Sequence, residues 1–467
     1  MLDKIKQFSL KNITAVIASV LFIVFIAGLQ LFSPWQVIIA LLFPIVLMTT
    51  AIYPHWGVYL LAFFLPTTSW YFYFGKLEIP FVDLLGLFLL VSFISRLLYL
   101  WSVNYQQFKK EFHWPILVPY LVFLGISFLS ALQVDTPMDS IWYTVRWIVI
   151  FYIIYIFLPF NIIKEKKHLK GVIVSLILSA LAVSAIGLAS LPQQDFYNEF
   201  VRIKPISIFG IYPIEQNQKH ISETIVSILF LLFTLPFLLK NKLSKKLIYG
   251  LFIFFCLVVL GSFARTAWLV LILQLLLFGW YMVKRNKIQL QHFLMTVILF
   301  FIIMLPATYY MAVLQSSPLS VGSTESRILM TQIGGQAFLG KPFLGQGAGH
   351  FEELIQDNIY FIAKYGRFLD AHGLIQKIST ELGILGLVAF GWIIGNIFYK
   401  LTFLFNRLKE RIVEQEILFY IMLSAGGILL FEFFDTFYYK GKLWFIIALS
   451  LVAIKLIKEK KLVDFVK

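Results

Sequence analysis

Cysteine is almost missing: Cys256, in the middle of an apolar run, is the single one in 467 residues. One thiol excludes an intramolecular disulfide, an iron–sulfur cluster and a cysteine zinc site. Charge is scarce too, 13% of the chain, and lopsided, with 39 Lys and Arg against 24 Asp and Glu, so that long stretches carry none. Neither H-E-x-x-H nor G-x-S-x-G occurs, and of the seven histidines only His350 and His372 share a segment. No metal site, no bound cofactor and no serine-hydrolase elbow are expected.

What fills the chain instead is apolar. Sixty percent hydrophobic residues, 18% aromatics and a mean hydropathy of +0.86 exceed what a soluble domain tolerates. Recurrent apolar runs predict an all-α polytopic transmembrane helical bundle of about 12–14 spans. They fall near 12–32, 34–53, 55–71, 80–101, 114–133, 139–160, 168–191, 218–239, 245–261, 265–283, 290–312, 372–400, 414–435 and 442–458. The first run is too long for a signal-peptide core and is read as a retained helix.

Basic residues orient these spans. Lys109 and Lys110, Lys164 to Lys170, Lys284 to Lys287 and Lys455 to Lys461 fall on one side if both termini are cytoplasmic, as the positive-inside rule asks. The net charge of +15 is then mostly topogenic, and nucleic-acid binding is an unnecessary reading. The chain divides into a transmembrane region, 1–311, a large extracytoplasmic loop carrying short helices, 312–371, and C-terminal transmembrane helices, 372–467.

Arg202, Lys204, Arg265, Arg327, Arg367 and Lys377 run against that bias. Arg265, in G-S-F-A-R-T-A-W between two spans, should face an anion or a partner carboxylate. Ser323 or Thr324 reads as the N-cap of an amphipathic helix that Gly340-Lys341-Pro342 ends. Arg327 then projects from a first turn whose amides favour anions, and a guanidinium forks onto phosphate oxygens. Pairing with Glu325 is the alternative. Gly345, Gly347 and Gly349 lack the strand-to-helix context of a nucleotide loop and read as a tight turn that permits close backbone approach.

His372 opens the next span, with Gln376, Ser379, Gly383 and Gly386 along one face and Lys377 and Glu381 sharing the other side. Such a face suits close helix packing. It also suits an imidazole that accepts a hydroxyl proton near neutral pH. Arg146, between Trp142 and Trp147, either snorkels outward or lines the same cavity. Glu432 and Asp435 lie at the outer end of the thirteenth span.

Taken in order, G-S-F-A-R, E-S-R, P-F-L-G-Q-G-A-G-H-F, D-A-H-G and E-L-G-I-L-G, from Gly261 to Gly386, resemble the motifs of the bacterial O-antigen ligase and O-antigen polymerase family. The segment Asn217 to Glu223 resembles the family's Asn-bearing segment more loosely. Two departures stand out: Phe263-Ala264 separates Ser262 from Arg265, and Gly373 replaces the usual Asn after His372. The resemblance implies a GT-C-type glycosyltransferase of the bacterial inner membrane, working in cell-envelope biogenesis on its outer face. It further implies a polyprenyl (undecaprenyl) pyrophosphate-linked glycan donor, a glycan or lipid acceptor, and neighbouring polysaccharide-assembly proteins. Reaction with inversion and without metal would have Arg265 and Arg327 hold the pyrophosphate, with Arg367 and Arg202 as lesser candidates. His372 would activate the acceptor hydroxyl, supported by Glu381, Lys377, Gln376 and Arg146. A flippase for lipid-linked oligosaccharides is the alternative, since it too needs many spans and a basic cavity, although transporters place their sites near the midplane.

Overall fold

The computed structural model describes residues 49–50, 52–74, 77–194, 201–208, 210–239, 244–315, 318–366, 370–435 and 440–462. Helix α1 (Pro54–Phe64) leads through an antiparallel hairpin, β1 (Tyr71–Phe74) on β2 (Leu77–Pro80), into α2 (Phe81–Val103) and the short α3 (Tyr105–Glu111). Then come α4 (Leu117–Ala131), α5 (Pro137–Ile162), α6 (Lys166–Leu188), α7 (Lys219–Leu238), α8 (Lys245–Gly261), α9 (Arg265–Lys284) and α10 (Leu290–Gln315). The segment that follows holds α11 (Pro318–Gly340), α12 (Phe351–Gln356) and α13 (Ile359–Tyr365). Helices α14 (Leu374–Arg407), α15 (Ile412–Phe434) and α16 (Gly441–Lys458) complete the order.

Seven of the described helices, α2, α5, α6, α7, α9, α14 and α15, are long and apolar enough to cross a membrane, and the chain is an all-α polytopic bundle. Each expected run from 80–101 onward coincides with a helix. The runs at 12–32 and 34–53 lie almost wholly outside the described residues. The expected 55–71 span is cut to the eleven residues of α1. Pro66 lacks an N–H to continue the helix, and the chain turns there before running on into β1 and β2.

The core surrounds α7 and α16. Along α16 every residue but Lys455 and Lys458 is buried, as expected of a helix that is apolar on all sides. Peripheral helices turn Leu98, Leu121, Leu257, Trp280 and Val388 outward and exposed. Contiguous apolar exteriors of this kind belong in hydrocarbon rather than water.

One break in regular helix positions the site. Gly383, inside α14, has φ 65°, and the carbonyls freed above it are taken by a neighbouring loop. Gln346 N–H donates to Thr380 O at 2.8 Å and Gly347 N–H to Glu381 O at 3.0 Å, while Ile384 N–H donates to Pro342 O at 2.8 Å. Gly345, Gly347 and Gly349 all have positive φ, and a Cβ on Gly345 would stand 2.4 Å from the carbonyl carbon of Glu381. The string is therefore a tight turn serving close approach. The break also interrupts the 100° step, so the predicted face from His372 to Gly386 is not one continuous stripe. A Cβ on Gly383 would lie 2.3 Å from Phe343 O. Gly383→Val is expected to lower the melting temperature in detergent, with backbone strain alone costing about 1–3 kcal/mol.

Candidate active site

Arg265 is the first residue of α9, and the turn before it explains its placement. Ser262 is fully buried, bonded to Ser222 Oγ at 2.6 Å and accepting Ala264 N–H at 3.2 Å. Phe263 takes φ 53°, so the chain reverses in a few residues and leaves Arg265 exposed at the helix start. The two residues inserted between Ser262 and Arg265 are thus the turn itself, and Ser262 ties that turn to α7. Ile203 N–H donates to Gly261 O at 2.8 Å, which brings the Arg202 segment beside the same turn.

Arg327 lies on α11, but not in its first turn. That helix begins at Pro318, whose fixed φ suits a helix start, so Ser323 and Thr324 are interior rather than capping. The expected help from first-turn amides falls away. Glu325 pairs with Lys364 at 2.8 Å instead of with Arg327. The inner side of α11 packs Met330, Leu329 and Ile333 against Phe351, Phe361 and Ala371, and Arg327 itself is exposed.

His372 precedes α14, which starts at Leu374, with Gly373 as its flanking residue. Its N–H donates to Gln376 Oε1 at 3.3 Å, so Gln376 holds the backbone of the histidine rather than its ring. Lys377 is buried between Asp370, 2.5 Å away, and Glu381, 3.2 Å away, beneath the rings of Tyr143 and Phe351. Glu381 also accepts Phe351 N–H at 3.4 Å. These groups fix the strand of chain that carries His372.

At this end of the bundle the charges converge. His372 is within electrostatic reach of Arg327, Lys219, Asp435 and Asp370, and Arg327 is within reach of Arg265 and Asp435. Burial, then the charges of Arg327 and Lys219, push the imidazole down to about 4, against the pull of the two carboxylates. Arg146 stands apart, its guanidinium 4.3 Å over the Trp147 ring and facing Asp83. Arg367 lies outside the described residues.

Beneath the convergence lies a buried ionic network that sequence reasoning missed. Lys219 bonds Asp435 at 2.5 Å, and Lys440 bonds Asp435 at 3.0 Å and Glu223 at 3.3 Å. Lys442 reaches Glu223 at 3.0 Å. His220 sits between Glu215, 2.5 Å from Nε2, and Glu223, 3.0 Å from Nδ1. Burial alone would raise Glu215, but His220, Lys440 and Lys442 together hold the carboxyl down to about 2. Lys440 and Lys442 were the available signal: two lysines between the apolar runs 414–435 and 442–458, where the expected orientation predicts few basic residues.

Among the described residues, one group, His220, Glu223 and Asp435, brings three donor atoms within 4.8 Å of one another, as a metal site would. Glu223 and Asp435 already meet the ammonium groups of Lys440 and Lys442, which occupy the role of the cation.

A family model described as O-Antigen ligase matches residues 250–391. That stretch contains Arg265, Arg327, the glycine turn, His372, Glu381 and Gly383, and it bears out the resemblance read from the motifs. A search of curated proteins returns no match to the chain.

Proposed function

From a membrane protein whose residues 250–391 carry an O-antigen ligase family domain, we infer a glycosyltransferase that moves glycan from a polyprenyl-pyrophosphate donor to an acceptor hydroxyl. The observation that carries this reading is the meeting of Arg265, Arg327 and Lys219 with a half-buried histidine at one end of the bundle. By the charge pattern of the loops, that end faces out of the cytoplasm.

In the reaction, the acceptor oxygen attacks the anomeric carbon from the side opposite the pyrophosphate, and the bond from that carbon to the phosphate oxygen breaks. The pyrophosphate leaves with the electron pair and the acceptor proton passes to His372 Nδ1 or Nε2. A single displacement inverts the anomeric centre. Charge gathers on the leaving group in the transition state, where prealigned guanidiniums stabilise it most. Arg265 and Arg327 supply the positive charge for the leaving group, with Lys219 nearby but paired to Asp435.

His372 is depressed first by burial and then by its positive neighbours, so a bound pyrophosphate would offset the second part and make the ring a stronger base when the donor is in place. The pH profiles test this. For free enzyme the neutral imidazole persists down to about 4, so kcat/KM is expected to hold through pH 6 and fall only toward that value, not at 6.5. The acid limb of kcat should lie higher.

The functional test is complementation of cells lacking the native gene with wild type or His372→Ala, with membrane levels measured alongside. The expected result is loss of polymeric or ligated glycan, with lipid-linked glycan accumulating on the outer face. Normal glycan from His372→Ala would remove that residue from the chemistry. Lipid-linked glycan trapped on the cytoplasmic face would make the protein a flippase.

A further inference from the structure

Next to the charged site is a cavity of 270 Å³ that the transfer chemistry does not use. Its wall is aromatic for a structural reason. Within α5, residues Val145–Ile150 and Tyr152–Phe157 are wound as π-helix, on which positions four apart stay on one side as they do on an α-helix. Trp147, Phe151 and Tyr155 consequently form one stripe, with ring centroids 5.1 and 5.0 Å apart in successive pairs. All three line the cavity. A Cβ on Gly441, at the start of α16, would strike the Tyr155 ring at 2.5 Å, so glycine there lets the ring keep its place.

Carboxylates outnumber cations around it: Asp83, Glu215, Glu352 and Asp370 line it with Lys440, and Arg146 lies over the Trp147 ring within reach of Asp83. Tyr155 OH donates to Asp83, and Thr68 Oγ1 donates to Glu215 Oε1 at 3.1 Å, so the carboxylates are aimed rather than loose. Glu352 is raised, first by burial and next by the charge of Asp370. Asp370 is two residues from His372, and Glu215 bonds the His220 of the ionic network, so the cavity adjoins the site.

An aromatic stripe facing several carboxylates suits one chemical class. The axial C–H bonds of a pyranose pack on ring faces, and its hydroxyls donate to carboxylate oxygens. A carboxylated or phosphorylated sugar would meet like charge. We propose that this cavity is a subsite for a non-acidic pyranose unit of the glycan, held by the Trp147–Phe151–Tyr155 stripe and by Asp83, Glu215 and Glu352. The volume is near the small end of ligand pockets, about 300 Å³, which limits the subsite to about one ring. The assignment rests on the glycosyltransferase reading for its relevance, but not for its test.

The experiment is saturation-transfer NMR on the full chain in lipid nanodiscs, with methyl glucopyranoside and methyl glucuronoside as probes. The neutral glycoside is expected to receive saturation and the glucuronoside about tenfold less. Thr68→Trp, which fills the cavity from its hairpin side, should abolish the signal, and Glu352→Lys, at an exposed rim position, should raise that of the glucuronoside. Equal saturation of the two probes, none for the neutral one, or a signal that survives Thr68→Trp and ignores Glu352→Lys overturns the proposal. If sugar binding fails while His372→Ala still stops glycan transfer in cells, only the subsite falls. If sugar binds but His372→Ala transfers normally, only the catalytic reading falls.

Discussion

Arg265→Ala is expected to slow glycan transfer by about 10²–10³-fold, the effect of removing one prealigned donor from a developing anion. Membrane levels should stay at those of the wild type. Arg265 is exposed at a helix start whose turn is held by Ser262 and Phe263 rather than by the guanidinium. Arg327→Ala should behave alike, and the double variant should lose less than the product of the two, because both serve one leaving group. Arg265→Lys keeps the charge but loses the planar fork and should recover activity in part. The measurement is transfer rate in purified protein with a lipid-pyrophosphate glycan. A wild-type rate from either alanine variant would detach that arginine from the pyrophosphate.

Glu223→Ala should be the most destabilising substitution in the bundle. The carboxylate is fully buried and is met by Lys440, Lys442 and His220. Removing it leaves buried cations short of a partner, at a cost of about 3–5 kcal/mol. Lys442→Met in the same chain should restore part of the loss, since the pair rather than either charge is what burial tolerates. Thermal unfolding in detergent reads both variants; an unchanged midpoint for Glu223→Ala would mean that water or rearrangement solvates the lysines.

Much of this architecture is legible in the sequence because hydrocarbon imposes a simple rule: an apolar run must be helix. The run at 245–261 and the helix Lys245–Gly261 coincide to the residue. The rule fails at residues 55–71, where the helix stops at Phe64 and the chain runs on to the hairpin; separately, Ser323-Thr324 have the form of a cap but lie inside a helix that begins at Pro318. Of the candidate residues, Arg265, Arg327 and His372 announce themselves as polar groups near span ends. The network of Glu223, Lys440 and Lys442 does not, because its members look like boundary charges until folding buries them together. Gln376 was read as part of a polar face and proves to be a backbone anchor for His372. Arg146, expected either to snorkel outward or to line the cavity, lies over Trp147 within reach of Asp83, two residues of the cavity wall.

The ionic network also has a history within each molecule. Glu223 and its partner Lys440 are 217 positions apart in the chain. At ~5–20 residues per second, a ribosome needs about 10–40 s to make that stretch. Throughout that interval α7 is finished while the lysines that neutralise it do not yet exist. Nascent chains halted before α16 would hold Glu223 against His220 of its own helix alone, without the two lysines that complete the buried network.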